Sequence, residues 1–220
     1  MHSIHITPLG DHALQLTFPD ETVDLQLYVD QLCNLSLPGV SDIVPTYAAI
    51  AIVYDPLIWD YGVIRKQIAE QLTYTSISTP PPTSIIEIPV CYDPVFGPDL
   101  ERLAVHHQLT TEEVITMHSM PVYRVQFIGF APGFPYLSDV HPKIATPRHQ
   151  TPRFTVSAGS VGIAGKQTGI YPFTSPGGWQ IIGRTPIPLF DPFRPEPSFL
   201  HAGDHIRFIP ISASQFQSWK

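Results

Sequence analysis

Residues 158–179 read AGSVGIAGKQTGIYPFTSPGGW, and this stretch decides the fold of the second half of the chain. Glycine recurs too often here for a helix, and each proline fixes its own backbone and lacks an amide donor. Short apolar runs separated by the same residue types extend outward over residues 123–184. A series of short strands punctuated by glycine and proline is typical of a closed or nearly closed β-barrel. We therefore predict a β-barrel domain over residues 85–220.

A domain boundary is predicted at the three consecutive prolines of residues 80–82. Such a run cannot enter a helix or a central strand, and it extends as polyproline II. We assign residues 1–78 to a small α/β sandwich domain, residues 79–84 to a proline-rich linker and residues 85–220 to the barrel domain. The predicted fold class is therefore α+β.

Hydrophobic periodicity predicts the elements on both sides of this linker. Period-two patterns, which indicate half-buried strands, occur at residues 14–18, 50–54, 86–92, 123–127 and 206–208. Helical spacing occurs at residues 25–32 and 60–72, and short helices are predicted to open near residue 98 and at residue 110. Asp60 is the expected N-cap of the second helix, and Thr110 and Glu113 have the spacing of a capping box. The first domain therefore reads as strand, helix, strand, helix.

Composition limits the classes of partner. The 220 residues carry a net charge of −7, so a broad nucleic-acid footprint is not expected. No apolar run approaches the roughly 20 residues of a membrane span, and the amino terminus lacks a leader pattern, so we expect a cytoplasmic protein without a membrane partner. Cys33 and Cys91 have no metal or redox spacing and are predicted to be buried free thiols.

Four of the six lysine and arginine residues in residues 123–184 are the candidates for binding an anion. A rigid, partly apolar surface with a few fixed positive charges suits a small anion or a partner protein. Residues 162–168 resemble a phosphate-binding P-loop only in part, because no helix follows them; a hairpin there could still present backbone N–H groups and an ammonium to an anion. For the two arginines that follow proline, solvated side chains and an anion site both stay open. The candidate residues are Arg148, Arg153, Lys166, Arg184, Gly165 and Gln167.

His118 is the candidate for proton transfer. It is predicted to lie at the end of a helix, where the helix carboxyl terminus favours a charged imidazole. A partly buried structural histidine is the alternative. Residues 106–107 and 201–205 each contain two histidines, but their spacing suits no metal, and we predict no metal site. Ser160 in its glycine turn would need a base that the sequence does not locate before it could act as a nucleophile.

Several motifs together carry a resemblance to a known family. They are GFAPGFPYL at residues 129–137, Pro147-Arg148, Pro152-Arg153, AGSV at 158–161, AGKQTGIYP at 164–172 and SPGGW at 175–179. On these residues the chain resembles the family of 5-oxoprolinase B subunits, also described as the KipI or allophanate hydrolase subunit 1 family. The resemblance covers nearly the whole chain, since residues 10–13, 45–47 and 112–118 also fit the family pattern.

This resemblance implies a small α/β domain followed by a cyclophilin-like β-barrel. It also implies a heteromeric enzyme in which this chain pairs directly with a 5-oxoprolinase C subunit of related barrel type and also with the A subunit. The implied reaction hydrolyses 5-oxo-L-proline to L-glutamate while ATP is converted to ADP and phosphate. ATP would be a co-substrate, with Mg²⁺ bound in the assembled complex, and the isolated chain is expected to be inactive.

The implied reaction sets the roles expected of the candidate residues. Activating a lactam by phosphorylating its amide oxygen needs cations, a general acid or base, and exclusion of bulk water. We expect His118 and Lys166 to be catalytic, and Arg148, Arg153, Arg184, Gly165 and Gln167 to bind substrate or phosphate. The residues expected at the partner interface are Phe130, Pro132, Phe134, Tyr136 and Trp179.

Two other functions are compatible with the same resemblance. One is a regulatory protein that binds and inhibits a sensor histidine kinase, with no chemistry of its own. The other is an accessory component of urea or allophanate metabolism. Neither alternative changes the predicted fold, since function depends on the site that a fold carries.

Overall fold

The computed structural model describes residues 4–19, 25–46, 48–73 and 84–219. The chain divides into two compact units, Met1–Pro81 and Pro82–Lys220. The predicted linker at residues 79–84 lies outside the described residues except for Ser84. The α+β class is confirmed, because helices and strands are present and the second unit contains a closed barrel of seven strands.

The described part of the amino-terminal unit is a four-stranded antiparallel sheet with two helices. Its elements are β1 (His5–Pro8), β2 (Ala13–Thr17), α1 (Leu25–Asn34), β3 (Val40–Pro45), β4 (Ala49–Tyr54) and α2 (Tyr61–Thr73). The strand order is β1-β2-β4-β3, so the two predicted strands form the centre of the sheet. Both predicted helices are confirmed, and the Asp60 carboxylate accepts from the Gly62 amide at 2.8 Å at the start of α2. The sequence missed both outer strands, since an edge strand buries few residues and shows no clear alternation.

The described part of the carboxyl-terminal unit contains nine further strands and three α-helices. They are β5 (Ile85–Cys91), α3 (Leu100–His106), α4 (Thr111–Ser119), β6 (Tyr123–Ile128), β7 (Pro135–Asp139), β8 (Arg153–Val156), β9 (Ser160–Ala164), β10 (Gln167–Ile170), β11 (Ser175–Gly177), β12 (Gln180–Arg184), β13 (His205–Ile211) and α5 (Ala213–Ser218). The barrel order is β10-β7-β6-β13-β5-β12-β9, with β8 and β11 paired in a separate ribbon. The predicted capping box of α4 is present between Thr110 and Glu113. The sequence did not predict α5.

Two apolar clusters of this unit position the candidate site. The larger contains Val161 and Ile163 of β9 with Ile182 of β12. The smaller contains Val156 of β8 and Ile181 of β12, together with Phe134, Ala164, Tyr171 and Trp179. Successive side chains of a strand point to opposite faces, so Ser160 lies on the face of β9 opposite Val161, the face that also carries Ala164.

The two cysteines, both predicted to be buried, differ in exposure. Cys91 is buried as predicted, but Cys33 is exposed, because it lies outside the stripe of buried residues on α1. Among the described residues no helix is long and apolar enough to cross a membrane.

Candidate functional site

The site is organised by Asp99, a carboxylate just before α3 whose side chain is only 4% exposed. Its Oδ1 accepts from Nη2 of Arg153 at 2.7 Å and lies 3.5 Å from Nη2 of Arg102. Its Oδ2 accepts from the Ile181 amide at 2.7 Å and lies 3.2 Å from Nε2 of His149. One buried carboxylate therefore joins α3, β8 and β12, and two guanidiniums share it.

Electrostatics keep this carboxylate ionised. Burial alone would raise the pKa of Asp99, but hydrogen bonds from Arg153, the Ile181 amide and His149 more than offset it, and the pKa is lowered from its usual 3.8. His149 Nε2 also lies 2.8 Å from Nη1 of Arg153, so this nitrogen either accepts from the guanidinium or donates to the carboxylate. With two guanidiniums and one carboxylate, the cluster keeps a net positive charge.

A cavity of about 340 Å³ opens beside this cluster. Its polar walls include the exposed side chains of Arg102, Arg148 and His106, and no acidic residue of the described chain lines it. Nη2 of Arg102 also donates to Oε1 of Gln180, whose own amide donates to the Pro147 carbonyl at 2.7 Å. Arg102 is therefore held in place while its side chain stays 60% exposed. Two guanidiniums, one of them held in place, with no acidic residue in the described lining suit a small carboxylate or phosphate.

Arg148 and Arg153 occupy different surroundings. The Arg148 guanidinium lies 5.9 Å from the centre of the Trp179 ring, a cation–π contact that orients it at the cavity. Arg153 is bound to Asp99 and lines a second, smaller groove. The solvated alternative therefore does not describe Arg153, and its role in binding an anion stays a prediction.

Arg184 is oriented by contacts with a turn and a helix outside its own strand. Its Nε donates to the Ala158 carbonyl at 2.7 Å, and its guanidinium lies 5.9 Å from the Phe216 ring of α5. It lines the same groove as Arg153. The structure therefore brings Arg153 and Arg184 to one groove and Arg148 to the neighbouring cavity.

Lys166 lies exposed in the two-residue turn between β9 and β10, as the hairpin interpretation predicts. Gly165, at φ 61°, exchanges backbone hydrogen bonds with Thr146, which lines the cavity. Gln167 begins β10, and its side-chain nitrogen is buried without a partner among the described residues. The turn is thus attached to the cavity wall, while the catalytic role of Lys166 stays a prediction.

The expectation of a charged His118 is wrong. The ring is fully buried and stacks on Phe208 with centroids 4.5 Å apart, and burial lowers its pKa from 6.5 to about 3. Its Nδ1 lies 2.8 Å from the Tyr92 hydroxyl and its Nε2 lies 2.9 Å from Oγ1 of Thr168. Thr168 in turn donates to the Gly162 carbonyl, so Nε2 donates and Nδ1 accepts. His118 is a neutral histidine with both nitrogens bonded inside the unit, as the structural alternative predicts, and its assignment as a catalytic residue is corrected.

Two of the expected interface residues need a similar correction. Phe134 is 1% exposed and Trp179 is 4% exposed, and both lie in the smaller apolar cluster. They support the surface from below and offer a partner almost no area. Phe130 is 64% exposed, Pro132 is exposed and Tyr136 is half-buried, and for these three the interface assignment stays a prediction.

Comparison with known proteins identifies the family. A family model described as "Carboxyltransferase domain, subdomain C and D" matches residues 4–200. A 5-oxoprolinase B subunit from Bacillus subtilis (strain 168) is 37% identical over 98% of this chain and 96% of its own length. Another, from Haemophilus influenzae, is 56% identical over 56% of this chain and 58% of its own length. The chain belongs to the family of 5-oxoprolinase B subunits.

Solved structures agree with the fold of this family member. TTHA0988 superimposes with a TM-score of 0.79 and 34% identity over 91% of this chain. The chain spans only 40% of the length of TTHA0988. The Kluyveromyces lactis urea amidolyase superimposes with a TM-score of 0.80 over 98% of this chain and 15% of its own, at 17% identity. At that identity the likeness concerns the fold alone.

Several residues of the charged cluster could not be identified as functional from the sequence. The sequence indicates Asp99 only as a helix start, and it does not single out Arg102, His149 or Gln180. The available signal was the three-residue spacing of Asp99 and Arg102, which places both side chains on one face of a helix turn. No local pattern indicates Gln180, because it reaches Arg102 only where β12 packs against α3, which is distant in sequence.

Proposed function

We propose that this protein is the B subunit of an ATP-dependent 5-oxoprolinase. In this proposal it pairs directly with the C subunit and, together with the A subunit, converts 5-oxo-L-proline to L-glutamate while ATP becomes ADP and phosphate. The relatives named as 5-oxoprolinase B subunits support the reaction class. We propose further that it acts in the cytoplasm and that the isolated chain is inactive.

The observation that carries the proposal is the cavity bounded by Arg102 and Arg148. 5-Oxoproline bears one carboxylate, and a guanidinium is a planar double donor that matches it. Arg102 is held by Asp99 and Gln180, so little of its side-chain freedom is lost on binding, and Arg148 lies beside the face of Trp179. We assign the substrate carboxylate to this cavity.

The chemistry follows from the weak reactivity of a lactam. The amide oxygen attacks the terminal phosphorus of ATP, and the bond from that phosphorus to the bridging oxygen of ADP breaks. Water then attacks the activated ring carbon, the ring C–N bond breaks and the nitrogen takes up a proton, which leaves an acyl phosphate. A second water cleaves this acyl phosphate, giving the side-chain carboxylate of glutamate and free phosphate. Guanidiniums stabilise the charge that develops on the transferred group. The proton donor for the nitrogen is assigned to another component of the complex, since His118 is sealed inside the barrel.

Mg²⁺ would accompany ATP, and the described part of this chain offers no obvious set of ligands for it. Among those residues no group of three or more histidine, cysteine, aspartate or glutamate side chains is placed to hold a metal. Lys166, attached to the cavity wall through Gly165 and Thr146, is proposed as an additional positive charge for the reaction.

The test is glutamate release from 5-oxoproline and ATP by the purified chain mixed with its A and C subunits, omitting each component in turn. We expect activity only in the complete mixture. Arg148→Gln and Arg102→Gln should each raise the KM for 5-oxoproline about tenfold or more, because each removes a charge-assisted hydrogen bond. Arg65→Gln, which removes an exposed charge from α2, is the matched control. No glutamate from an assembled complex, or unchanged KM in both cavity variants, would contradict the proposal.

A further inference from the structure

A second concave site lies next to the cavity, on the outer face of β9 and β12. It is a groove of about 170 Å³ whose lining includes Arg153, Thr155, Ser157, Ser160 and Arg184. Among the described residues the lining contains two arginines and three hydroxyl side chains but no carboxylate. It shares none of these residues with the lining of the cavity of Arg102 and Arg148.

Ser160 is the unusual member of this lining. The residue is only 4% exposed, and its hydroxyl makes no hydrogen bond to any part of the chain that the structure describes. The hydroxyl oxygen is not fully sealed from solvent, and it is accessible from the groove. Most buried hydroxyls bond within the protein, so one that has no protein partner and opens onto a groove is placed to bond water or a ligand there. Ser160 therefore points to a ligand.

Arg184 is placed directly across from this hydroxyl. Arg184 and Ser160 are register partners on β12 and β9, so their side chains leave the same face of the sheet. The Nε of Arg184 is taken by the Ala158 carbonyl, and its two Nη atoms bond to no residue within the described ranges. The guanidinium is therefore oriented but keeps its two outer nitrogens for a ligand.

The AGSV motif explains how this pair is built. Ala158 supplies the carbonyl that orients Arg184, and Ser160 supplies the hydroxyl. Gly159 lies between them at φ 80°, and a Cβ there would meet the Thr185 carbonyl oxygen at 2.3 Å. Only glycine allows this close approach of the two strands at a positive φ. Three successive residues of the motif thus orient the arginine, allow the close backbone approach and supply the hydroxyl.

We propose that this groove binds a phosphoryl group, separately from the carboxylate that we assign to the cavity. A phosphate presents three terminal oxygens in different directions, and it can accept from the Arg184 fork and from Ser160 and the neighbouring hydroxyls of Thr155 and Ser157 together. A planar carboxylate has two oxygens and would leave part of this set unused. Arg153, fixed by Asp99, adds positive charge at one end of the groove. The proposal rests on the proposed function only for the source of the group, the terminal phosphate of ATP.

The first test is a nuclear magnetic resonance titration of the ¹⁵N-labelled full chain with inorganic phosphate, and with acetate at equal ionic strength. Phosphate should shift the amides of residues 158–160 and the Nε–H of Arg184. Arg184→Gln should weaken phosphate binding about tenfold or more and Ser160→Ala about threefold to tenfold, whereas the control Arg65→Gln should bind as the original chain does. The unperturbed amides of each variant report whether it is folded.

Two outcomes of that titration would overturn the proposal. One is phosphate binding that is unchanged in both groove variants or absent from these resonances. The other is acetate binding to the groove as tightly as phosphate, which would show a site for carboxylates instead.

The assembled complex separates this proposal from the proposed function. Ser160→Ala and Arg184→Gln should raise the KM for ATP and leave that for 5-oxoproline, while Arg148→Gln should do the reverse. If phosphate binds as expected but the complete mixture releases no glutamate, the groove stands and the enzyme assignment fails. If glutamate is released but the groove variants keep their KM for ATP, the enzyme assignment stands and the groove proposal fails.

Discussion

Replacing Asp99 by asparagine should destabilise the carboxyl-terminal unit by about 3 kcal/mol. The carboxylate accepts hydrogen bonds from Arg153 and the Ile181 amide, both at 2.7 Å, and its side chain is 4% exposed. Asparagine keeps the shape but presents an NH₂ group to donors on one side, so at least one bond becomes a donor–donor contact. Breaking a buried ion pair costs about 3–5 kcal/mol, and we take the lower end because the Arg153 side chain is 33% exposed and keeps part of its hydration.

The measurement is urea unfolding of the full chain, followed through the buried Trp179 by fluorescence with the other tryptophans replaced. Asp139→Asn is the matched control, since Asp139 is exposed, lies in the same unit and has no side-chain bond to a described residue. We expect the control to change the free energy of unfolding by less than about 0.5 kcal/mol. A loss below about 1 kcal/mol for Asp99→Asn would refute the view that this carboxylate holds the cluster together.

The same variant has a defined pH dependence. The folded-state pKa of Asp99 lies below its usual 3.8, so the folded protein binds this proton more weakly than the unfolded chain. The stability that Asp99 contributes is therefore complete above the unfolded pKa and is lost as the pH falls through the folded pKa. The difference in unfolding free energy between the original chain and Asp99→Asn should be constant from pH 7 to about 5 and should shrink below about pH 4.

Three further predictions concern other parts of the chain. Gly159→Ala should cost more than about 2 kcal/mol in urea unfolding, since it adds a backbone clash to an unfavourable φ, whereas Gly165→Ala, with nothing within 4 Å of the new Cβ, should cost only about 1 kcal/mol. His118 has a folded pKa of about 3 against 6.5 when unfolded, so its stabilising contribution is complete above pH 6.5 and falls by about 1.4 kcal/mol per pH unit on acidification toward pH 3. This slope should be absent in His118→Gln, and equal slopes would show that another group titrates. Cys33 should react with a thiol reagent in the native protein and Cys91 only after denaturation, and two native thiols would contradict the described burial.

The parts of the fold that follow local rules could be predicted from the sequence. Glycine and proline specify turns through their own backbone, so the alternation of short strands in residues 123–184 indicated a barrel without knowledge of the strand order. The capping box at Thr110 is likewise a contact between residues three positions apart. Edge strands β1 and β3 escaped detection because their burial depends on neighbours and not on their own alternation.

The charged site could be predicted only in part, because it depends on which distant helices and strands meet. Arg153 reaches Asp99 across 54 positions of sequence, and Gln180 reaches Arg102 across 78. For His118 a local sequence signal was present but misleading. Its position near a helix end favoured a charged ring, but the helix packs against β13 and the ring is sealed beside Phe208, where the cost of burying a charge decides its protonation.

The proposed arrangement explains how a chain with a net charge of −7 can attract anionic substrates. An anion in a low-dielectric cleft interacts mainly with the fixed charges beside it. Surface charges more than about 10 Å away contribute much less, because physiological salt screens them. Asp99 is the only carboxylate described at the cluster, and it is shared by Arg102 on the cavity side and Arg153 on the groove side. One counter-ion therefore fixes two guanidiniums without neutralising both. The remaining positive charge, together with Arg148 and Arg184, is available to two ligands at neighbouring sites, as a reaction between a carboxylate-bearing lactam and a phosphoryl donor requires.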